Sequence, residues 1–192
     1  MHLCATVGTP TPQNMPRILF IAAHRPDRSP SQRYRFEQFA PYWEQHGFAC
    51  DMAWIIDEED DIHFYKSGRL VAKTRIFLKS HKRRRAHVRM ATDYDLILLQ
   101  REAFMTYSTR FERELAPTGG PLFDDFDDAI WLMDVSDGNR KLRWLKDPAK
   151  TAKIVPLATL VIAGNEFLAD YARRLHAKVV VVPTVIDTDR YR

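Results

Sequence analysis

Cysteine is nearly absent from this chain. Of 192 residues only Cys4 and Cys50 are cysteines. They form no Cys-x-x-Cys pair and fall far below the density of a small secreted scaffold, so a disulfide framework is excluded and a reducing, cytoplasmic compartment is expected. Long hydrophobic runs are missing too. The run from Lys178 to Thr184 holds four consecutive valines, far short of the roughly 20 residues that span a bilayer. The chain is therefore expected to be soluble or peripheral. No G-x-G-x-x-G or Walker A sequence occurs, which argues against a dinucleotide enzyme or a P-loop ATPase. Residues 1–16 lack the basic start and apolar middle of a signal peptide and are rich in Thr, Pro and Gly, so they read as a disordered leader.

What is present is ample core material, 45% apolar and 11% aromatic, with 29 basic residues mixed among 25 acidic ones. At about 150 residues per domain this composition predicts one globular domain. Short apolar runs recur between helical patterns: Arg17 to Ala23, Phe48 to Ile56, Asp95 to Leu99, Pro121 to Phe123, Thr159 to Ala163 and Lys178 to Val182. Several are apolar on both faces, as parallel strands covered by helices on two sides must be. The expected fold is a doubly wound α/β domain with a mostly parallel, Rossmann-like sheet over residues 17–183. Ser29, Pro30 and Gln32 have capping-box spacing for a first helix whose buried face is Phe36, Phe39, Ala40 and Trp43, kinked at Pro41. Asn165 caps a last helix that buries Leu168, Tyr171, Ala172 and Leu175. Residues 68–90 read as a charged helix.

Ligands of open α/β sheets bind outside the carboxyl ends of the strands. In this chain those positions are polar: His24 to Arg35, Gln100 to Glu102, Asp124 to Asp128, and Gly164 to Glu166. The first loop leads into a helix start with Arg25, Arg28, Arg33 and Arg35, suited to a phosphate or sugar acid or, equally, to a capped helix with solvated arginines. Asp124, Asp125, Asp127 and Asp128 repel one another unless a cation, sugar hydroxyls or arginines occupy the site. Asp125-Phe-Asp127 also has the spacing that holds Mg²⁺ or Mn²⁺ beside a diphosphate, and one aspartate can instead cap a short helix through Trp131. Arg101 and Glu102 can pair with each other or reach across to the aspartates. The run from Lys79 to Arg89 carries six basic residues in eleven with no acid. It suits a solvated helix face or an anionic membrane, with Lys82, Arg83, Arg84, Arg85 and Arg89 as the membrane-facing patch. No aromatic-interleaved motif points to nucleic acid.

Five segments together resemble the N-terminal halves of GT-B glycosyltransferases, especially bacterial members of family 4. They are Pro30-Ser-Gln-Arg-Tyr-Arg35, Gln100-Arg-Glu102, Phe123 to Trp131, Ile162 to Leu168 and Val182 to Tyr191. The resemblance implies two Rossmann-like domains facing across a cleft, the first receiving the acceptor and the second the nucleotide sugar. Transfer would proceed with retention and without an obligatory metal or other cofactor. By the same resemblance Ser31, Arg33, Arg35, Arg101, Glu102, Asp125, Asn165 and Glu166 line the cleft, while Asp127 and Asp128 stand near the reacting sugar. Where relatives carry a His-Asp pair, this chain has Asp127 and Asp128. Residues 184–192 resemble the interdomain linker, with Thr184 and Val185 in place of the usual Asn and Gly, and a donor domain is expected beyond it.

The resemblance implies that the chain is the acceptor side of a retaining transferase in envelope or exopolysaccharide synthesis, inactive alone. Its expected partners are a nucleotide sugar, a glycan or lipid-linked acceptor, the inner face of the cytoplasmic membrane and a separately encoded donor domain. The alternatives are a metal-dependent transferase or phosphohydrolase built on Asp125 and Asp127, and a non-catalytic binding module or truncated gene product.

Overall fold

Six strands alternate with helices in a single α/β domain. The computed structural model describes residues 15–66, 69–118, 120–132 and 147–188. Expectations for the leader before residue 15 and for the last four residues of the linker lie outside these. All six apolar runs become strands: β1 (Arg17–Ile21), β2 (Ala49–Ala53), β3 (Leu96–Gln100), β4 (Leu122–Phe126), β5 (Leu160–Ala163) and β6 (Val179–Val181). They form one sheet, order β2-β1-β3-β4-β5-β6, and every pairing is parallel. The order reverses between β1 and β3, which makes that gap the switch point where a crevice opens at the carboxyl edge.

The same reversal decides which face each helix covers. Only the β1-to-β2 connection runs toward β2, and a right-handed crossover in that direction lays its helices on one face. These are α1 (Pro30–Gln32) and α2 (Ala40–Gln45), joined by a π-helical turn (Arg33–Glu37). Phe36 stacks on Phe20 with ring centroids 3.9 Å apart, and Trp43 packs beside it. Later connections run the other way, so α4 (Leu70–Met90) and α5 (Arg110–Leu115) cover Leu19, Ile21, Ile97, Leu99 and Leu122 on the opposite face. There α7 (Glu166–Arg173) covers Val161 and Ala163. Among the described residues the remaining α-helices are α3 (Glu58–Phe64) and α6 (Lys150–Ile154).

Three local expectations change. The capping box does not form: Ser29 makes no side-chain cap, because Gln32 is drawn inward, accepting from the His24 N–H at 3.0 Å and donating to the His24 carbonyl at 3.0 Å. Pro41 sits in the first turn of α2 instead of kinking one continuous helix, since it has no N–H to offer Glu37. The chain makes the five-residue bond from Gln38 N–H to Arg33 C=O (3.0 Å) instead. Finally, β4 extends to Phe126, so Asp124 and Asp125 lie inside a strand and are buried. Elsewhere the local signals hold. Asn165 Oδ1 accepts from the Leu168 N–H at 3.0 Å, and Leu168, Ala169 and Ala172 are buried.

Candidate functional site at the carboxyl edge of the sheet

The rim network begins at Ser31, which the β1-to-α1 loop brings over the switch point. Its hydroxyl donates to Asp127 Oδ1 at 2.7 Å and accepts from the Gln100 amide at 2.8 Å. Arg101 closes the ring, donating to Asp127 Oδ1 at 3.1 Å and to Asp128. These five residues come from three separate strand ends. Asp127 is largely buried and Asp128 open to solvent, with side chains 14% and 63% exposed, so the pair presents one fixed and one available carboxylate.

Arg101 holds its place through a strained backbone. Its φ is 63°, in the left-handed region that costs a side-chain-bearing residue of order 1–3 kcal/mol. Flanking bonds impose this conformation: Arg101 N–H to Asp125 C=O at 2.9 Å, and Glu102 N–H to Gln100 C=O at 2.7 Å. A three-residue turn of this hand ends β3 abruptly and turns the guanidinium toward the two aspartates.

Arg35 and Asp125 lie beneath the rim and do not line the cleft. The Arg35 Nε donates to both Asp125 oxygens at 3.1 Å, and Nη1 reaches the Val182 carbonyl. Burial pushes the Asp125 carboxyl up, against the pull of Arg35. On the opposite face of β4, Asp124 has neither oxygen partnered among the described residues. Burial holds it well above the ordinary carboxylate range, with Asp125 and Glu112 adding to the effect.

The other expected rim residues turn elsewhere. Arg33 bonds the Asp27 carbonyl at 2.6 Å. Glu102 accepts from Lys150 at 3.0 Å. Asn165 serves the helix cap, and Glu166 pairs with Arg173 at 2.8 Å. Asp125 and Asp127 each engage a different arginine, and among the described residues no group of three His, Cys, Asp or Glu side chains converges as a metal site would. Nor does a helix follow Asp128: a turn spans Ile130 and Trp131, and residues 133–146 lie outside the described residues.

The basic run is the largest correction. Arg84 is fully buried, donating to the carbonyls of Ala103 (2.7 Å), Ala53 (3.0 Å) and Ala22 (2.6 Å). It ties together the chain leaving β1, β2 and β3 and cannot face a membrane. Burial lowers its guanidinium to about 9. Arg83 bonds Asp57 at 3.2 Å.

Several contributors had weak signals in the sequence. Gly164 follows β5, and a Cβ there would lie 3.0 Å from the Asp127 Cα, so this glycine lets Asp127 sit close against β5. His24 follows β1, and its Nε2 lies within hydrogen-bond distance of the Tyr65 hydroxyl, 2.9 Å away. Burial lowers the imidazole, and Arg28, Arg25 and Arg101 oppose its charging while Asp61 favours it. Lys150 is buried between Glu102 and Glu112, 3.0 and 3.1 Å away. A cavity of about 440 Å³ opens beside Arg101, with Glu102, Thr106, Asp128, Lys150 and Thr151 among its lining. Only position after a strand hinted at Gly164 and His24, and nothing local marked Lys150.

Fold and rim together define a class: a Rossmann-like parallel α/β domain with a charged, hydroxyl-bearing switch-point site. No protein-family model matches the chain, and no curated protein matches it significantly.

Proposed function

We propose that this domain is the acceptor-side unit of a retaining glycosyl transfer from a nucleotide sugar, working opposite a second α/β unit that holds the nucleotide. The carrying observation is the Ser31, Gln100, Arg101, Asp127 and Asp128 network beside the 440 Å³ cavity. Fixed carboxylates accept from vicinal sugar hydroxyls while guanidinium and amide groups donate to them, and a pocket of this size suits one or two sugar rings. In this reading Asp128, the open carboxylate, meets the acceptor hydroxyl. Asp127 is held by Ser31 and Arg101 and orients it. The polysaccharide or envelope setting follows from the family resemblance alone.

The test is a ¹H–¹⁵N titration of the full chain with neutral methyl glycosides, methyl uronosides and UDP. Saturable shifts at Ser31, Arg101, Asp127 and Asp128 with a glycoside, lost in Asp128→Asn, are expected. Absence of any saccharide-dependent shift at the rim, or tight UDP binding there, overturns the reading. Saccharide binding that never supports transfer, even with a nucleotide-binding partner unit added, marks a binding module instead.

A further inference from the structure

With Arg84 inside and Arg83 tied to Asp57, the outward face of α4 is not the patch that the basic run outlines. Its 21 residues carry eight basic side chains and no acidic one. Ile76, Ser80 and Arg84 point inward at four-residue intervals, and Lys79 is held by Asp57 and Asp60 at 2.6 and 2.8 Å. The opposite stripe bears Val71, Arg75, Leu78, Lys82, Arg85 and Arg89, spaced by three or four residues and all exposed. Val71 is 86% exposed and Leu78 63%, with Leu70 beside them at 67%. None of Arg75, Lys82, Arg85 or Arg89 has an ion-pair partner among the described residues.

The stripe is thus divided: aliphatic toward its start, basic toward its end. The helix also has a definite placement. Its C-terminal end leads to the amino edge of β3, and Arg84 grips the carboxyl-edge carbonyls of Ala22 and Ala53. The fourteen residue steps from Leu70 to Arg84 rise about 21 Å, so the aliphatic half projects past the carboxyl edge, on the side of the rim network. Nearby acids are already engaged, Asp57 and Asp60 by Lys79, and Asp61 by Arg25 and Arg28.

We propose that this outward face of α4 docks on an anionic lipid bilayer, with Leu70, Val71 and Leu78 entering the headgroup boundary and Arg75, Lys82, Arg85 and Arg89 meeting lipid phosphates. Such a division of a helix surface suits interfacial attachment, and no described helix is long and apolar enough to cross a membrane. A duplex nucleic acid would satisfy the charges but not three solvent-exposed aliphatic side chains. The proposal stands independently of the glycosyl-transfer reading; if both hold, the rim faces an acceptor carried by the membrane.

The full chain is sedimented with vesicles of phosphatidylcholine, alone or mixed with phosphatidylglycerol, across a salt series. Binding to the mixed vesicles only, weakening with salt, is expected. Each basic residue near an anionic surface contributes about fivefold, so combined Lys82→Gln, Arg85→Gln and Arg89→Gln weakens partitioning about a hundredfold. Val71→Ser with Leu78→Ser weakens it about tenfold or more. These side chains are exposed and unpaired, so circular dichroism melts of both variants match the parent. No sedimentation of the parent chain with anionic vesicles, equal binding to neutral ones, undiminished binding of both variants, or tighter binding to a duplex oligonucleotide at the same salt overturns the proposal.

Discussion

Arg35 donates from one nitrogen to both carboxylate oxygens of Asp125, 3.1 Å from each, with the two side chains only 3% and 5% exposed. The pair joins the π-helical turn to the middle of β4, and through the Val182 carbonyl it also fastens the chain beyond β6. Removing one member leaves a buried charge without its partner, which costs about 3–5 kcal/mol, whereas replacing both with apolar residues is often near neutral. Arg35→Leu alone is therefore expected to lower the urea midpoint sharply, and Arg35→Leu with Asp125→Leu to recover most of the loss. A double variant as unstable as the single one contradicts this account.

Asp124 is expected to make the fold less stable as pH rises. Its carboxyl is held well above the usual range by burial, with Asp125 and Glu112 adding to it. The native chain therefore retains a proton that the unfolded chain has released. Between the unfolded value near 3.9 and the raised native value, stability falls with pH at up to about 1.4 kcal/mol per unit. Asp124→Asn, nearly the same shape and unable to ionise, removes that slope in urea titrations run from acid to neutral pH.

His87 works in the opposite sense. Burial, aided by Arg84 and Arg83, pulls its imidazole down to about 4. From the unfolded value near 6.5 down to about 4, the unfolded chain binds the extra proton, and stability drops as the solution is acidified. The contributions of His87 and Asp124 oppose each other across this window. His87→Gln should steepen the net decline of stability with rising pH, and Asp124→Asn should expose the acid sensitivity; identical pH profiles for the two variants would contradict both assignments.

Arg101 trades stability for position. Arg101→Gly relieves a left-handed backbone at a cost of only partly exposed ion pairs, each worth little. Thermal stability is expected to stay within about 1 kcal/mol of the parent or to rise, while saccharide shifts at Asp127 and Asp128 disappear. A large loss of stability would show that the guanidinium is chiefly structural.

Gly164 sets the depth of Asp127. Gly164→Ala places a methyl group 3.0 Å from the Asp127 Cα, and a displacement of a few tenths of an ångström disturbs the 2.7 Å bond from Ser31. Saccharide affinity is expected to fall about tenfold for roughly 1 kcal/mol of stability. Gly120→Ala provides the contrast: its Cβ would lie 2.2 Å from the Asp95 carbonyl oxygen, so calorimetry should show a much larger drop in stability.

The strands were legible because four or five apolar residues in a row, with β-branched and aromatic types among them, are stable only when buried on both faces. The runs of β1, β3 and β5 follow that rule, whereas β2 and β4 carry aspartates and the valines of β6, at the sheet edge, stay partly exposed. The cap at Asn165 was legible because its donor is three residues away. The Ser29 cap failed for a non-local reason: Gln32 finds the backbone of His24 across the loop. Arg84 was misread for the same reason. Flanked by Arg83 and Arg85, it has the sequence surroundings of a solvated charge, and only the three carbonyls gathered at the ends of β1, β2 and β3 make its burial favourable.

Local composition and periodicity were enough to determine the α/β class, the strand positions and the polar character of the carboxyl edge, because each depends on residues adjacent along the chain. Tertiary structure decided which polar residues meet. Ser31 and Asp127 are 96 residues apart and Arg35 and Asp125 are 90; the strand order that places β3 and β4 beside β1 closes those distances. The helix face that carries each side chain then separates the buried Arg84 from the exposed Arg85, since one residue along a helix turns the side chain by about 100°.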